Sequence, residues 1–282
     1  MITTALIGLP VDHSVSPILF NLYAKEFGLE YAHSKFNVKS EDLENVIKSL
    51  PSFGFAGVNI TLPYKSAVMP FLDSVSAEAK AIGAVNTVKV NNGKLEGYNT
   101  DVYGALRAIE KKLDKKVNRE NVAFVFGTGG AARAIVWGLI KSGFKVKVVY
   151  RKPESNRTEA FKRDFIDKIS FITYDELNAE DLEKSVLLCN ATSAGMNPNE
   201  DETPIDLDRF KKINLSGIVM FDAIFNPITT KLQIWAKNKG AILAYGIDMM
   251  IYQGIIAFEC WTGKRVGEET ARKAFDVLMR NK

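Results

Sequence analysis

Residues 122–132 read VAFVFGTGGAA, a short apolar run followed by a loop rich in glycine. The apolar run is typical of a buried strand, and the residues after the loop predict a helix. Gly127, Gly129 and Ala132 have the G-x-G-x-x-A spacing of a dinucleotide fingerprint, which allows a tight turn and a close approach of backbone N–H groups to phosphate. The alternative interpretation is an ordinary strand-to-helix turn. We expect the pyrophosphate of a nicotinamide cofactor at this helix N-terminus, bound by Gly127, Thr128, Gly129, Gly130 and Ala131.

The end of the next strand, predicted at 145–150, is where NAD and NADP sites differ. NAD sites usually carry an acidic residue there, which accepts a hydrogen bond from the ribose 2′-hydroxyl. This chain has Tyr150, Arg151 and Lys152 instead, and no Asp or Glu before Glu154. Two cations stabilise a 2′-phosphate but contribute little at a bare hydroxyl. The sequence therefore predicts NADP as the cofactor, bound through Arg151 and Lys152.

Strands and helices alternate on both sides of this loop, which predicts an α/β fold with mainly parallel sheets. Further strands are expected at 4–8, 31–37, 57–61, 170–173, 186–189, 218–222 and 241–245. A hairpin is expected at 85–90 and 94–97, because Asn92 and Gly93 can supply the positive φ angles of its turn. Helices are expected at 17–27, 41–50, 65–71, 76–82, 102–116, 131–142, 249–261 and 268–280. The helix at 102–116 becomes increasingly charged, so we expect it to lead into a second domain.

Composition excludes several classes of protein. The chain has 282 residues, of which 46% are hydrophobic and 25% charged, as expected of a soluble globular protein. Its net charge of +4 comes from scattered Lys and Arg, which suits a phosphate or carboxylate ligand and not a nucleic acid. Two cysteines and two histidines predict neither a disulfide framework nor a metal site. With no signal peptide and no apolar run of membrane-spanning length, we expect a cytoplasmic protein away from the membrane. A monomer or a homodimer is possible, and the sequence favours neither.

A possible carboxylate site lies near the N-terminus. Pro17 fits the first position of a helix, and Ser16 fits its N-cap. Ser14 and Ser16 can aim their hydroxyls at the same place, and a helix N-terminus with two hydroxyls suits a carboxylate. A simple N-cap is the alternative.

Lys65 and Asp101 are candidates for proton transfer. Lys65 falls at the start of a predicted helix, where a cation opposes the helix dipole, and local misfits of this kind often mark function. Asp101 is either a plain N-cap or the carboxylate partner of Lys65. Such a pair would orient the amine and move a proton to or from a carbonyl oxygen while hydride is transferred. A surface lysine is the alternative for Lys65.

Together these segments resemble the shikimate dehydrogenase family over nearly the whole chain. The order and spacing of the motifs are more specific than any one of them. The motifs are GLP at 8–10, HSVSP at 13–17, NITLPYK at 59–65, GAVNT at 83–87, GYNTD at 97–101, GTGGAARA at 127–134, NATSAGM at 190–196, NP at 226–227, G at 246 and YQG at 252–254.

The resemblance implies a fold, an activity and a set of site residues. It implies a substrate-binding and catalytic α/β domain at 1–102, a Rossmann-like NADP-binding domain at 103–246, and helices at 247–282 that pack back on the substrate domain. It implies reversible reduction of 3-dehydroshikimate to shikimate with NADPH, in the pathway to chorismate and the aromatic amino acids. On the substrate side, it implies that Ser14 and Ser16 bind the substrate carboxylate, that the ring hydroxyls contact Thr61, Asn86, Asp101 and Gln253, and that Lys65 transfers a proton with Asp101 as its partner. On the cofactor side, it implies that Arg151 lies near the 2′-phosphate. The residues implied to line the adenosine and nicotinamide side are Asn190, Ala191, Thr192, Ala223 and Gly246.

The chain departs from the family pattern at a few positions. Phe20 stands where the family usually has His, and Phe225 where it usually has a Tyr whose hydroxyl faces the substrate. Tyr150 and Lys152 replace the usual Asn and Thr around Arg151. These changes bear on affinity and substrate breadth, so a quinate/shikimate dehydrogenase using NAD or NADP is the alternative. A dinucleotide-binding protein without catalysis is disfavoured, because Lys65 and Asp101 are both present.

Overall fold

The computed structural model describes residues 1–12, 14–113, 121–151 and 155–280. The chain divides into two compact units, one formed by Met1–Asp101 with Ile251–Lys282 and the other by Val102–Met250. The first division falls after Asp101 and the second after Met250, close to the boundaries after 102 and after 246 that the resemblance implies. The predicted α/β fold is confirmed.

The first unit contains a six-stranded mixed sheet. The strands are β1 (Ile2–Gly8), β2 (Tyr31–Asn37), β3 (Gly57–Ile60), β4 (Ser74–Val75), β5 (Thr87–Asn91) and β6 (Lys94–Tyr98). Their order in the sheet is β2-β1-β3-β5-β6-β4. β1 pairs in parallel with β2 and β3, whereas β3, β5 and β6 form an antiparallel set. The turn between β5 and β6 has positive φ at Asn92 and Gly93, as expected.

Helices accompany this sheet from both ends of the chain. They are α1 (Ser16–Glu26), α2 (Leu43–Ser49), α3 (Ala77–Ile82), α9 (Gly246–Thr262, from Ile251 onward) and α10 (Glu268–Arg280). Tyr23 of α1 donates a hydrogen bond to the Ile251 carbonyl, and Trp261 of α9 donates one to the Val88 carbonyl of β5. The last two helices therefore belong to the same compact unit as the N-terminal strands.

The second unit contains a six-stranded sheet that is parallel throughout, in the order β12-β11-β10-β7-β8-β9. The strands are β7 (Val122–Phe126), β8 (Lys145–Tyr150), β9 (Ser170–Thr173), β10 (Leu187–Asn190), β11 (Val219–Asp222) and β12 (Ile242–Tyr245). Its helices are α4 (Asp101–Glu110, from Val102 onward), α5 (Gly130–Lys141), α6 (Asn156–Phe165), α7 (Ala179–Glu183) and α8 (Lys231–Asn238).

Strand β7 shows how the parallel sheet is buried on both faces. Ala123 and Val125 belong to one hydrophobic cluster, and Phe124 and Phe126 belong to another. Successive side chains of a strand point to opposite faces, so the two clusters lie on opposite sides of the sheet. This accounts for the continuous apolar run at 122–126, which is typical of parallel strands covered by helices on both faces.

Some elements differ from the sequence predictions. The helix predicted at 65–71 is wrong, because only a 3₁₀ turn at Met69–Phe71 forms. The preceding segment is held by long-range bonds instead: the Lys65 carbonyl accepts from the Val85 N–H, and the Ser66 hydroxyl donates to the Gly83 carbonyl. Helix α4 ends at Glu110, and residues 114–116 of the predicted helix lie outside the described residues.

Ser16 is not the N-cap that the sequence predicted. The helix begins at Ser16 itself, and the cap residue Val15 makes no side-chain cap bond. The Ser14 hydroxyl accepts a hydrogen bond from the Ser16 N–H at 3.2 Å. The capping acceptor thus comes from Ser14, and the Ser16 side chain is left for other contacts. No helix among the described residues has the length and apolar character needed to cross a membrane.

Candidate active site

The substrate-side candidates from β1, β3, β5 and β6 lie at one edge of the first sheet. Because β1 and β3 are parallel neighbours, the loops after Gly8 and after Ile60 leave the sheet at the same edge. The antiparallel pairing of β3, β5 and β6 brings the start of β5 and the end of β6 to that edge as well. The residues in these segments are Ser14, Ser16, Thr61, Lys65, Asn86 and Asp101.

Lys65 and Asp101 form the central pair. The Lys65 Nζ donates to the Asp101 Oδ2 across 2.6 Å, and the exposed fractions of the two side chains are 15% and 7%. Asp101 is the first residue of α4, and its backbone N–H donates to the Asn99 side chain. Both alternatives raised by the sequence, a surface lysine and a plain N-cap, are therefore wrong: the two side chains are paired in a site that is largely shielded from solvent.

Asn86 connects this pair to its surroundings. Its amide nitrogen donates to the Asp101 Oδ1 at 2.8 Å, to the Thr100 Oγ1 at 2.9 Å and to the Gln253 Oε1 at 3.3 Å. Its amide oxygen accepts from the Thr100 backbone N–H at 2.7 Å. Gln253 reaches this network from α9, although it lies more than 150 residues further along the chain. Four of the sequence-predicted residues, Lys65, Asn86, Asp101 and Gln253, thus share one hydrogen-bonded network.

Three polar residues behind this network were not among the predicted site residues. Thr100 donates to Gln253 at 3.1 Å, and Asn59 donates to the Asn86 carbonyl and to Thr87, both at 3.2 Å. All three are buried. The sequence signal that could have identified them is a polar residue at a strand position where a core residue would be apolar, as at Asn59 and Thr87.

Ser14 and Ser16 form a second cluster. Their hydroxyls are 3.2 Å apart, with Ser14 donating to Ser16. Lys35 of β2 supports the loop before them, because its ammonium donates to the carbonyls of Asp12 and Ser14. The loop is therefore held from the strand side while both hydroxyls remain next to each other.

His33 lies behind the serine pair and was not predicted as a site residue. Its Nε2 is 3.1 Å from the Ser16 Oγ, and its Nδ1 is 2.8 Å from the Thr4 Oγ1. Burial lowers the pKa of His33 to about 3, so the ring is neutral at neutral pH. Phe20, one of the departures from the family pattern, packs on this ring with centroids 4.5 Å apart.

Thr61 follows β3 and is only partly buried. Its backbone N–H donates to the Ile7 carbonyl, which ties the residue to the end of β1. A Cβ added at Gly8 would lie 2.4 Å from the Thr61 methyl group, so the glycine is needed for the close approach of the two strand ends. Thr61 therefore occupies a fixed position at the same edge as Lys65.

In the second unit the cofactor candidates lie at the carboxyl edge of the parallel sheet. The loop 127–129 follows β7, Arg151 follows β8, Thr192 follows β10, Ala223 follows β11 and Gly246 follows β12. β7 and β10 are neighbours from which the strand order runs outward in both directions. This topological switch point is where open α/β sheets bind their ligands.

The glycine loop has room for a phosphate group. Gly129 is the N-cap of α5 in an extended conformation with no side-chain cap bond, and a Cβ added there would meet nothing within 4 Å. Gly127 has φ of 103°, and a Cβ there would lie 2.8 Å from the Thr192 methyl group. Gly127 is thus required by the turn, and Gly129 leaves open space in front of the N–H groups of the helix. The loop fits a pyrophosphate.

A cavity of about 580 Å³ lies at the carboxyl ends of β8 and β9. Arg151, Tyr174 and Arg209 are among its lining residues. Arg209 is engaged with the backbone carbonyls of Tyr174 and Leu177, whereas Arg151 is exposed. Arg151 is thus an exposed cation beside this cavity at the carboxyl end of the sheet, and Lys152, the second predicted cation, lies outside the described residues.

A buried polar network shapes the loops after β10 and β11. Asn190 donates to the Asp222 carboxylate at 3.1 Å and accepts from the Thr192 hydroxyl at 2.7 Å. The Thr230 hydroxyl donates to Asp222 at 2.7 Å, and so does the Ile224 N–H at 3.0 Å. Burial raises the pKa of Asp222 to about 6 despite these hydrogen bonds. The network fixes Thr192 beside Gly127.

Neither cysteine is poised as a nucleophile. Burial raises the pKa of Cys260 to about 11 and raises that of Cys189 as well. The described part of the chain also holds no group of three or more His, Cys, Asp and Glu side chains that could bind a metal ion.

Comparison with known proteins identifies the family. A sequence model of the shikimate dehydrogenase substrate binding domain matches residues 6–88, and one of the shikimate 5'-dehydrogenase C-terminal domain matches residues 246–274. The shikimate dehydrogenase (NADP(+)) of Methanopyrus kandleri is 37% identical over 278 residues, which cover 95% of this chain and 93% of the relative. The chain belongs to the shikimate dehydrogenase family.

Solved structures of shikimate dehydrogenases agree with this assignment. One in complex with NADP⁺ has a TM-score of 0.87 at 35% identity, covering 97% of this chain and 94% of that one. The Thermus thermophilus enzyme in complex with NADP(H) and shikimate has a TM-score of 0.83 at 33% identity, covering 97% of this chain and all of that one. The resemblance inferred from the motifs is confirmed.

Proposed function

We propose that this protein is an NADP-dependent shikimate dehydrogenase, which reversibly reduces 3-dehydroshikimate to shikimate in the pathway to chorismate and the aromatic amino acids. The observation that carries the proposal is the 2.6 Å Lys65–Asp101 pair within the Asn86 network, in a chain of this family. A carbonyl oxygen that gains negative charge during reduction needs a proton donor within hydrogen-bonding distance. Lys65 can supply that proton, and Asp101 holds the ammonium in one orientation.

The remaining polar groups at this edge suit a polyhydroxylated carboxylate. Ser14 and Ser16 offer two hydroxyls to the carboxylate, and Thr61, Asn86 and Gln253 offer donors and acceptors to ring hydroxyls. Asp101 uses its two oxygens on Lys65 and Asn86, and a carboxylate oxygen can accept more than one hydrogen bond, so it can bind a ring hydroxyl as well. This division of roles follows the chemistry of each side chain and the family pattern.

The second unit supplies the cofactor site. Gly127, Thr128, Gly129, Gly130 and Ala131 would take the pyrophosphate, Arg151 with Lys152 the 2′-phosphate, and Thr192, Ala223 and Gly246 the nucleoside portions. When bound, NADPH supplies the hydride for the carbonyl carbon. The chain's own contribution here is to bind and orient the cofactor, because the glycine loop has no titratable side chain that could transfer a proton.

A steady-state assay of the purified protein tests the proposal. Shikimate-dependent reduction of NADP⁺, followed by nicotinamide absorbance, should proceed with a higher kcat/KM than the same reaction with NAD⁺. Quinate is the comparison substrate, because its extra hydroxyl on the carboxylate-bearing carbon must fit beside Ser14 and Ser16. Comparable efficiency with quinate would favour a quinate/shikimate dehydrogenase. A wild-type protein that reduces NADP⁺ with neither acid would overturn the proposal.

A further inference from the structure

His33 occupies a buried position directly behind the serine pair. It lies on β2 and is 7% exposed, and its ring packs against Phe20 of α1 and lies 6.2 Å from the Trp261 ring. Its Nε2 is 3.1 Å from the Ser16 Oγ. The imidazole is thus fixed by aromatic packing and has one polar contact toward the serines.

The other side of the ring continues into a chain of hydroxyls. The His33 Nδ1 is 2.8 Å from the Thr4 Oγ1, and that oxygen is 2.6 Å from the Tyr31 Oη. Thr4 and His33 are buried, and Tyr31 is half-buried. Four side chains, Tyr31, Thr4, His33 and Ser16, therefore form one line of hydrogen bonds that ends beside Ser14.

The negative charge of the substrate carboxylate determines which partner donates in each hydrogen bond of this line. A neutral imidazole has one donor and one acceptor nitrogen, and burial keeps His33 neutral. A carboxylate can only accept hydrogen bonds, so Ser16 can bind it only by donating its hydroxyl hydrogen. The group behind Ser16 must then donate to its oxygen, which requires the proton on Nε2. Nδ1 is left to accept from Thr4, and Thr4 to accept from Tyr31.

We propose that His33 is a positioning residue for the substrate carboxylate: its Nε2–H donates to the Ser16 oxygen and directs the Ser16 hydroxyl hydrogen toward the carboxylate. The inference rests on the proposed function and goes beyond it, because it assigns a role and a tautomer to a side chain that does not touch the substrate. Thr4 and Tyr31 maintain that tautomer from behind.

The tautomer can be measured in the unmodified protein. The sequence contains two histidines, so ¹⁵N-histidine NMR gives few signals, and His13→Gln assigns them. With shikimate bound, we expect His33 to give the pattern of a neutral ring protonated at Nε2, unchanged between pH 8 and about pH 5, which is about two units above its lowered pKa. A ring protonated at Nδ1, or a charged ring at neutral pH, overturns the proposal without any change to the site.

A double-mutant cycle tests whether His33 acts through Ser16. His33→Phe should raise the KM for shikimate roughly tenfold, the scale of one hydrogen bond to a charged group, with little effect on kcat or on the KM for NADP⁺. In a Ser16→Ala background, His33→Phe should raise the KM for shikimate by less than a further twofold, because the hydroxyl that His33 positions is already absent. His33→Gln, which retains a donor, should restore most of the affinity. If His33→Phe and Ser16→Ala raise the KM for shikimate by factors that simply multiply in the double variant, His33 only supports the fold.

The control is Tyr23→Phe, which removes another buried hydrogen bond of the same region, from α1 to the Ile251 carbonyl, and does not touch Ser16. It should change thermal stability and leave the KM for shikimate as in the wild type. Shikimate methyl ester, which lacks the negative charge, gives a matched ligand: His33→Phe should weaken the binding of shikimate more than that of the ester, because a hydrogen bond to a neutral ester is weaker than one to a charged carboxylate. If the wild type shows no activity, the proposed function fails; if it is active and the cycle shows no coupling, only the role of His33 fails.

Discussion

Lys65 and Asp101, 36 residues apart, meet in a hydrogen-bonded ion pair of 2.6 Å whose other carboxylate oxygen accepts a hydrogen bond from Asn86. The carboxylate is thus held by an amide on one side and fixes the ammonium on the other. The Lys65 backbone is fixed separately, because its carbonyl accepts from the Val85 N–H. Both ends of the lysine are therefore constrained, as a group that must meet a substrate carbonyl requires.

Replacing Lys65 should abolish most of the turnover. Lys65→Ala is expected to lower kcat by roughly 10²–10⁴, the usual scale for loss of a general acid or base, with a small change in the KM for NADP⁺. Lys48→Ala is the matched control, since Lys48 forms an exposed ion pair with Glu44 at 2.5 Å and should leave kcat unchanged. Asp101→Asn should also slow turnover, and the double variant should lose far less than the product of the two. A Lys65→Ala enzyme with wild-type kcat would remove Lys65 from the mechanism.

Arg151 should determine the choice between NADP and NAD. Arg151→Ala is expected to lower kcat/KM for NADP⁺ by about 10- to 150-fold, equivalent to about 1.5–3 kcal/mol for a hydrogen bond to a charged group. Its effect on NAD⁺ should be small, since NAD has no phosphate at that position. Arg163→Ala, at an exposed arginine of α6, is the control for loss of surface charge. Equal losses with both cofactors would show that Arg151 does not contact the 2′-phosphate.

The two glycines of the cofactor loop should respond in opposite ways. Gly129→Val places its Cβ in open space on extended backbone, so stability without cofactor should fall by no more than about 1 kcal/mol, the scale of a poorer N-cap residue. The same side chain would occupy the space of the pyrophosphate, so Kd for NADP⁺ should rise at least about tenfold. Gly127→Ala should instead destabilise the protein by roughly 1–3 kcal/mol, because φ is 103° there. Thermal unfolding with and without NADP⁺ distinguishes the two effects, and a Gly129→Val protein that binds NADP⁺ normally would contradict the assignment.

The six strands of the second unit could be predicted from sequence, but three of its helices could not. Strands β7, β8 and β9 match the predicted bounds, because each contains β-branched or aromatic residues and is followed by polar or turn-forming residues. Helices α6, α7 and α8 were not predicted, because they are short or polar and begin at side-chain caps from Ser155, Asn178 and Thr230. Caps of this kind are common in loops as well, so they do not by themselves identify a helix.

In the candidate site, the sequence predicted the groups proposed to carry out the chemistry and missed several side chains that hold them in place. Lys65 was singled out for a wrong reason, a helix that does not form, yet its pairing with Asp101 is observed. His33 gave no local signal, because it lies in a mixed strand and its contacts with Thr4 and Ser16 depend on the pairing of β1 with β2 and the packing of α1. Long-range contacts of this kind follow from the fold and not from spacing along the chain.

Asp222 should leave a pH signature in stability. Its pKa is raised from 3.8 to about 6 by burial, so between these values the folded state binds a proton that the unfolded state has lost. The contribution of Asp222 to the free energy of unfolding should therefore fall as pH rises from about 4 to about 6 and then level off. In Asp222→Asn this titration is absent, so the difference between wild type and variant, measured by urea unfolding, should shrink over that range. The contributions of other titratable groups cancel in this comparison.

Thr230→Val removes a hydrogen bond that lowers the pKa of Asp222, so the fall in stability should extend to higher pH. This comes on top of a pH-independent loss of about 1–2 kcal/mol for the helix cap. Parallel curves for wild type and Asp222→Asn would show that Asp222 keeps an ordinary pKa in the fold.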